Sequence, residues 1–265
     1  MRFKTFTIAC ACVLTLLLFA QRRSSPAPLQ LFGGVVDLTH PVDEKTPNWE
    51  GATESPYKVK QLASFEKNGY FTRSISLPEH FGTHIDAPAH FAQGVWTVDQ
   101  IPPQRLVAPL VVIDVRGKVA NNPDYQVSLD DLAIWEHDNT QVPPGAVVMA
   151  LTGWAAHWDS MKDYRNADSK GVMHFPGFAV ETARFLVQAR RIAGLGIDTL
   201  SVDYGPSKDF LVHHFTAKNN VYHLENVASL EQAPEAGAIV VVAPAKLEGG
   251  SGGPVRIFAL LKQGQ

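Results

Sequence analysis

The stretch His80-Phe81-Gly82-Thr83-His84-Ile85-Asp86-Ala87-Pro88-Ala89-His90 gathers three imidazoles and a carboxylate, with no cysteine near them. Imidazole and carboxylate suit zinc, manganese or iron, and a catalytic ion keeps about three or four protein donors so that water retains a position. One histidine in a loop is usually only solvated or hydrogen-bonded. Four such groups, beside a glycine that permits close backbone approach and prolines that stiffen the turn, point to a metal site. Pro78, Gly82 and Pro88 interrupt any helix here, so the expected carrier is a strand end running into a turn. His80, His84, Asp86 and His90 share one parity, so an extended backbone would aim all four the same way.

A second group of acids and imidazoles lies at His213, His214, His223 and Glu225. Glu225 is read as functional, whereas His214 and His223 are read as ordinary, His223 as a strand-exposed histidine. Gly249-Gly250-Ser251-Gly252-Gly253 matches the Gly-x-Ser-x-Gly elbow of serine hydrolases, but that elbow needs a strand before it and a helix after it. Here Pro254 and an apolar strand pattern follow, so Ser251 is expected in a turn near the site and not as a nucleophile. Asp198 and Asp203 flank an apolar run and are expected to satisfy buried backbone or orient a ligand. Trp154 fits a pocket wall or the core equally well.

The elements that must position these groups are mostly short strands. Apolar runs rich in Val, Ile and Leu predict strands at Gly34 to Leu38, Leu106 to Val115, Val147 to Leu151, Gly196 to Val202, Ala238 to Val242 and Val255 to Leu261. Phe71 to Leu77 alternates as a half-buried strand should and feeds the metal motif. Helices are expected at Ser128 to Trp135, with Ser128 as cap, and at Pro176 to Ile192. The class is α/β or α+β, without a Gly-x-Gly-x-x-Gly or Walker loop.

Composition narrows the function further. The 265 residues are 45% hydrophobic and 18% charged, ordinary for a globular protein, and no linker divides them, so one domain is expected over 30–265. A formal charge of −3, with no Lys/Arg stripe interleaved with aromatics, argues against nucleic acid as a partner. Residues 1–29 have the layout of a secretory signal, or of an uncleaved anchor: Arg2 and Lys4, an apolar run from Phe6 to Ala20, then Arg22 and Arg23. This predicts an exported, periplasmic or secreted protein, or a membrane-anchored one. Loss of residues through Arg23 removes four cations and no acid, which moves the formal charge from −3 to −7. Cys10 and Cys12 both lie in that run, so the mature chain would have neither disulfides nor a cysteine nucleophile.

The pattern His-x-Gly-Thr-His-x-Asp-x-Pro-x-His is very similar to the signature of the cyclase-like metal-dependent hydrolases, the family that includes bacterial kynurenine formamidase and isatin hydrolase. The likeness continues in Asp37-Leu38-Thr39-His40-Pro41, Thr152-Gly153-Trp154, Gly196 to Asp203, His223 to Val227 and Gly249 to Arg256, nearly everything from Gly34 to Leu261. The resemblance implies a swivelling β/β/α architecture, in which a mixed sheet curls into a partly closed barrel flanked by helices. It also implies a homo-oligomer.

For the site, the resemblance implies His80, His84, Asp86 and Glu225 around one divalent metal and Asp86, His213 and Glu225 around a second. His213 is selected because it stands twelve residues before Glu225. Two zinc ions are implied, with manganese possible. His90 is left for proton transfer, and Trp49 falls near a pocket tryptophan. The implied substrate is a small aryl amide or lactam, with N-formylkynurenine leading, isatin or another cyclic amide as the alternative, and metal-bound hydroxide as nucleophile. A non-catalytic metal- or ligand-binding module on the same fold is the alternative of another class; His90 beside a complete ligand set speaks against it.

Overall fold

The computed structural model describes residues 32–51 and 54–264; the signal or anchor expected at 1–29 and both cysteines lie outside the described residues. Its strands are, in chain order, β1 (Gly34–Asp37), β2 (Lys58–Ala63), β3 (Thr72–Ser76), β4 (His84–Asp86), β5 (Val107–Asp114), β6 (Gln126–Val127), β7 (Val147–Leu151), β8 (Gly177–Phe178), β9 (Gly194–Ile197), β10 (Tyr222–Glu225), β11 (Ile239–Pro244) and β12 (Gly252–Leu261). The helices are α1 (Phe65–Asn68), α2 (Arg116–Val119), α3 (Leu129–Asp138), α4 (Met161–Arg165), α5 (Val180–Phe185) and α6 (Leu211–Lys218).

Seven strands close into a ring in the order β12, β11, β5, β7, β9, β10, β4, because β4 pairs back onto the start of β12. The expected partly closed barrel is therefore fully closed. β5, β7, β9 and β10 run parallel, and the remaining neighbours run antiparallel. β1 extends the sheet by pairing with Phe258–Leu261.

The two-residue period of a strand divides the hydrophobic residues between two cores. On β5, Leu110 and Val112 fill the barrel, whereas Val111 and Ile113 meet the helices; β7 divides likewise, Val147 and Met149 inward, Val148 and Ala150 outward. β9 carries glycine where the barrel has no room. A Cβ on Gly196 would lie 2.7 Å from Met149 Cγ, and one on Gly194 would lie 2.5 Å from the ring of Tyr222. Leu132 and Trp135 of α3, Ala183 of α5 and Val212 of α6 close the outer core.

Three sequence expectations shift. The strand expected over Gly196 to Val202 ends at Ile197, because the buried Asp198 carboxylate turns to accept the amides of Thr152 and Gly153. The helix expected from Pro176 begins at Val180: the preceding residues are extended, with Phe178 N–H donating to Val202 O and Ala179 N–H to Val127 O. Its last turn is a π-helix over Leu186–Arg190. β3 is not half-buried. It pairs only with β2 in a separate two-stranded hairpin, and Ile75 is 57% exposed. Ser128 does cap α3, through a capping box with Asp131.

Candidate active site

β4 and β10 lie side by side with Ile85 opposite Leu224, both pointing into the barrel. Their neighbours therefore point out on the opposite face, where Asp86 stands across from His223 and His84 across from Glu225. α6 brings His213 over this face. The Asp203 carboxylate starts the helix by accepting the Val212 and His213 amides at 3.0 Å, and it also meets His213 Nδ1 at 2.7 Å. His80 reaches the same place from the loop before β4. There Gly252 of β12 leaves room, since a Cβ would lie 2.7 Å from His80 Cε1 and 2.4 Å from Ile85 O.

Each of these imidazoles is held by one nitrogen and offers the other to the carboxylates. His84 Nδ1 donates to Gly82 O at 2.9 Å, leaving Nε2 at 3.2 Å from Asp86 Oδ1 and 3.5 Å from Glu225 Oε2. His213, held by Asp203, presents Nε2 at 3.3 Å from Asp86 Oδ2 and 3.2 Å from Glu225 Oε1. His80 Nδ1 lies 2.6 Å from Asp86 Oδ1, while its Nε2 lies 3.0 Å from Ser251 Oγ. Ser251 in turn donates to Glu79 Oε2, so its oxygen accepts from His80 Nε2–H. Glu225 Oε1 also receives the Val202 amide at 3.0 Å.

Asn226 locks the loop: it donates to Gly82 O at 2.8 Å, and its carbonyl accepts the Thr83 hydroxyl at 2.6 Å. Gly82 itself has φ +67°, in the left-handed region that glycine adopts readily.

Imidazole nitrogens aimed at buried carboxylates constitute a donor set that needs positive charge at its centre. Without a metal, protons supply it. Burial works against charge on His84, yet the hydrogen bond and charge of Asp86 and the charge of Glu225 raise it to about 9. His213 likewise rises well above the ordinary histidine value, as Asp203, Asp86 and Glu225 outweigh its burial. Asp86 is held well below the carboxylate range despite its burial, by hydrogen bonds from His213 and the other imidazoles. A borderline divalent ion fits these nitrogen and oxygen donors and would replace the protons.

The site forms the floor of a cavity of about 360 Å³, walled by Trp49, Phe91 and Phe210. Trp49 lies 5.9 Å from Phe210, which is 5.6 Å from Phe91, ring centre to ring centre. Phe210 holds φ +45°, an unusual conformation for a bulky residue, at the start of α6.

The cyclase family profile matches residues 36–204. The chain belongs to the cyclase family. Within it, the isatin hydrolase of Roseibium aggregatum is 29% identical over 238 residues, spanning 86% of this chain and 89% of that one. The kynurenine formamidase of Bacillus cereus is 26% identical over 224 residues, spanning 83% and 94%. The solved isatin hydrolase A of Ralstonia solanacearum superposes with a TM-score of 0.80 at 32% identity, covering 86% of this chain and 92% of that one. This cyclase-family chain thus sits among metal-dependent hydrolases.

The structure brings His80, His84, Asp86, His213 and Glu225 together, with His90 and Trp49 at the same cavity. His90 stacks on His80, ring centres 3.9 Å apart. The shared parity explains only His84 and Asp86, the two residues on β4; His80 precedes the Gly82 turn, and His90 follows Pro88 in a 3₁₀ turn. His214, one helix position from His213, faces solvent. Trp154 is a core residue that donates to Tyr164 O at 2.8 Å.

His223 corrects the sequence reading: it is buried, on the same face as Glu225. The alternation Tyr222-His223-Leu224-Glu225 carried that signal, since residues two apart share a face.

Ser251 is followed by β12 and not by a helix, which removes the elbow reading. Its contact with His80 refines what Ser251→Ala should do. With metal saturating, most of the rate should remain, while metal affinity should fall about 10- to 100-fold, as for loss of a group that orients a ligand. Loss of several orders of magnitude at saturating metal, or a covalent adduct on Ser251, would restore the serine mechanism.

Proposed function

We propose that the chain hydrolyses the C–N bond of an aryl amide, with an isatin-like cyclic amide as the leading substrate and N-formylkynurenine as the second. The observation that carries this reading is the convergence of oriented imidazoles on Asp86 and Glu225 at the floor of an aromatic-walled cavity. The order of substrates rests on the likeness to isatin hydrolases, 29–32% identical against 26% for the formamidase, and reverses the order drawn from the sequence.

His80, His84, Asp86 and Glu225 would hold one divalent ion, and Asp86, His213 and Glu225 a second. Such an ion supplies Lewis acidity toward a carbonyl oxygen and lowers the pKa of water toward about 7. The protein supplies the rest. Trp49, Phe91 and Phe210 hold the aryl ring flat and keep bulk water from the floor. His90 lies within the cavity beside His80 and moves a proton at its imidazole ring. Burial, which outweighs the pull of Asp86, pushes it down to about 4, so at neutral pH it first accepts a proton from the attacking water. It then returns that proton to the departing nitrogen.

Hydrolysis of isatin and of N-formylkynurenine, each measured with chelator and with added zinc or manganese, tests the reading. Metal-dependent turnover of isatin exceeding that of N-formylkynurenine is the expected result. The reverse preference would make the protein a formamidase. Metal bound without turnover of either would favour a binding module.

A further inference from the structure

His223 lies outside the donor set assigned above, and its surroundings give it a defined protonation pattern. Its Nε2 lies 2.6 Å from Thr216 Oγ1. The Thr216 hydroxyl has one proton and directs it to the helix carbonyl of Val212 at 2.7 Å, with His213 O a further 3.2 Å acceptor. Toward His223 the hydroxyl oxygen can therefore only accept, so the network places the ring proton on Nε2.

Nδ1 is then a bare lone pair. It is buried and has no hydrogen-bond partner, and it lies 3.5 Å from Asp86 Oδ2, too far for a good hydrogen bond. A lone pair facing a carboxylate oxygen inside a protein is repulsive unless a cation lies between them. His213 Nε2 lies 3.3 Å from the same Asp86 oxygen. One ligand atom each from Asp86, His213 and His223 lies within 4.8 Å of the others.

We propose that His223 Nδ1 is a direct donor to a divalent ion shared with Asp86 and His213. This rests on the metal-dependent reading above and adds a ligand to it. Two imidazole nitrogens beside one carboxylate favour a borderline transition ion such as zinc, cobalt or manganese over magnesium or calcium, which prefer all-oxygen shells. The tautomer also explains Thr216 on α6: its hydroxyl fixes the ring as a carbonyl or carboxylate does for other metal-bound histidines.

The test loads the full-length protein with Co²⁺ alone and compares wild type, His223→Leu and His223→Cys by calorimetric titration and absorption spectra. His223→Leu should weaken one binding event by more than about 100-fold, beyond the roughly 10- to 100-fold that loss of an outer orienting partner costs. His223→Cys should show a near-ultraviolet thiolate-to-cobalt band absent from the wild type, in which Cys10 and Cys12 provide the baseline. The cysteine arm also stands alone if the leucine variant does not fold. Wild-type affinity in His223→Leu, or a cysteine variant without the band, overturns the assignment while leaving the metal-dependent reading intact. A wild type that takes up no Co²⁺ overturns both.

Discussion

His84→Ala is expected to lose bound metal and, with it, turnover, falling toward the uncatalysed rate by on the order of 10⁶-fold. The residue offers Nε2 to both carboxylates while Gly82 O holds its other nitrogen, and alanine supplies no donor in its place. The neighbours cannot swing in. His213 is tied to Asp203, and His80 to Ser251. Exhaustive chelation of the wild type should have the same effect, reversed by adding metal back.

A pH signature accompanies it. Metal-free protein holds protons on His84, raised to about 9, and on His213, whereas the metal-bound form cannot. The free form therefore binds more protons, so affinity must rise as pH rises from neutrality toward about 9, with protons released on uptake. Titration calorimetry in buffers of different ionisation enthalpy reads that release, and elemental analysis reads the metal. Full activity in a preparation shown to be metal-free would sink the mechanism.

The motif from His80 to His90 was legible because its spacing is local and its chemistry is unusual. The strands β1, β5, β7, β11 and β12 were legible because their apolar runs are long enough to stand out. What escaped the sequence was carried by short elements whose identity depends on partners. β4 is three residues and β10 four, so the alternation within each is too brief to mark it as a strand by itself, yet their pairing places Asp86 against His223 and His84 against Glu225. Closure of the ring follows from pairing between β4 and β12, far apart in the chain, and no local pattern encodes it. Asp203 was expected to satisfy buried backbone or orient a ligand; it accepts the Val212 and His213 amides and also holds His213 Nδ1. His223 was set aside because a single histidine near Glu225 is unremarkable until its burial and the Thr216 hydroxyl beneath it are seen together.

His90→Ala is expected to keep its metal and lose about 10²- to 10⁴-fold in rate, the usual range for general acid–base catalysis. The ring stacks on His80 and stands edge-on to Phe91, 4.6 Å between centres, so it borders the donor set, and it belongs to neither of the ligand-spaced groups His80, His84, Asp86 and Asp86, His213, His223. Being neutral near pH 7, it acts only after collecting a proton, and the proton it collects is the one the leaving nitrogen needs. The loss should therefore depend on the leaving group. An anilide whose amine leaves readily without protonation should suffer far less than an unactivated one. Metal stoichiometry of His90→Ala and His84→Ala, measured beside rates on both kinds of anilide, separates proton carrier from ligand. Equal metal loss in the two variants would make His90 a ligand, and the proton transfer would then have to pass to another group at the cavity floor.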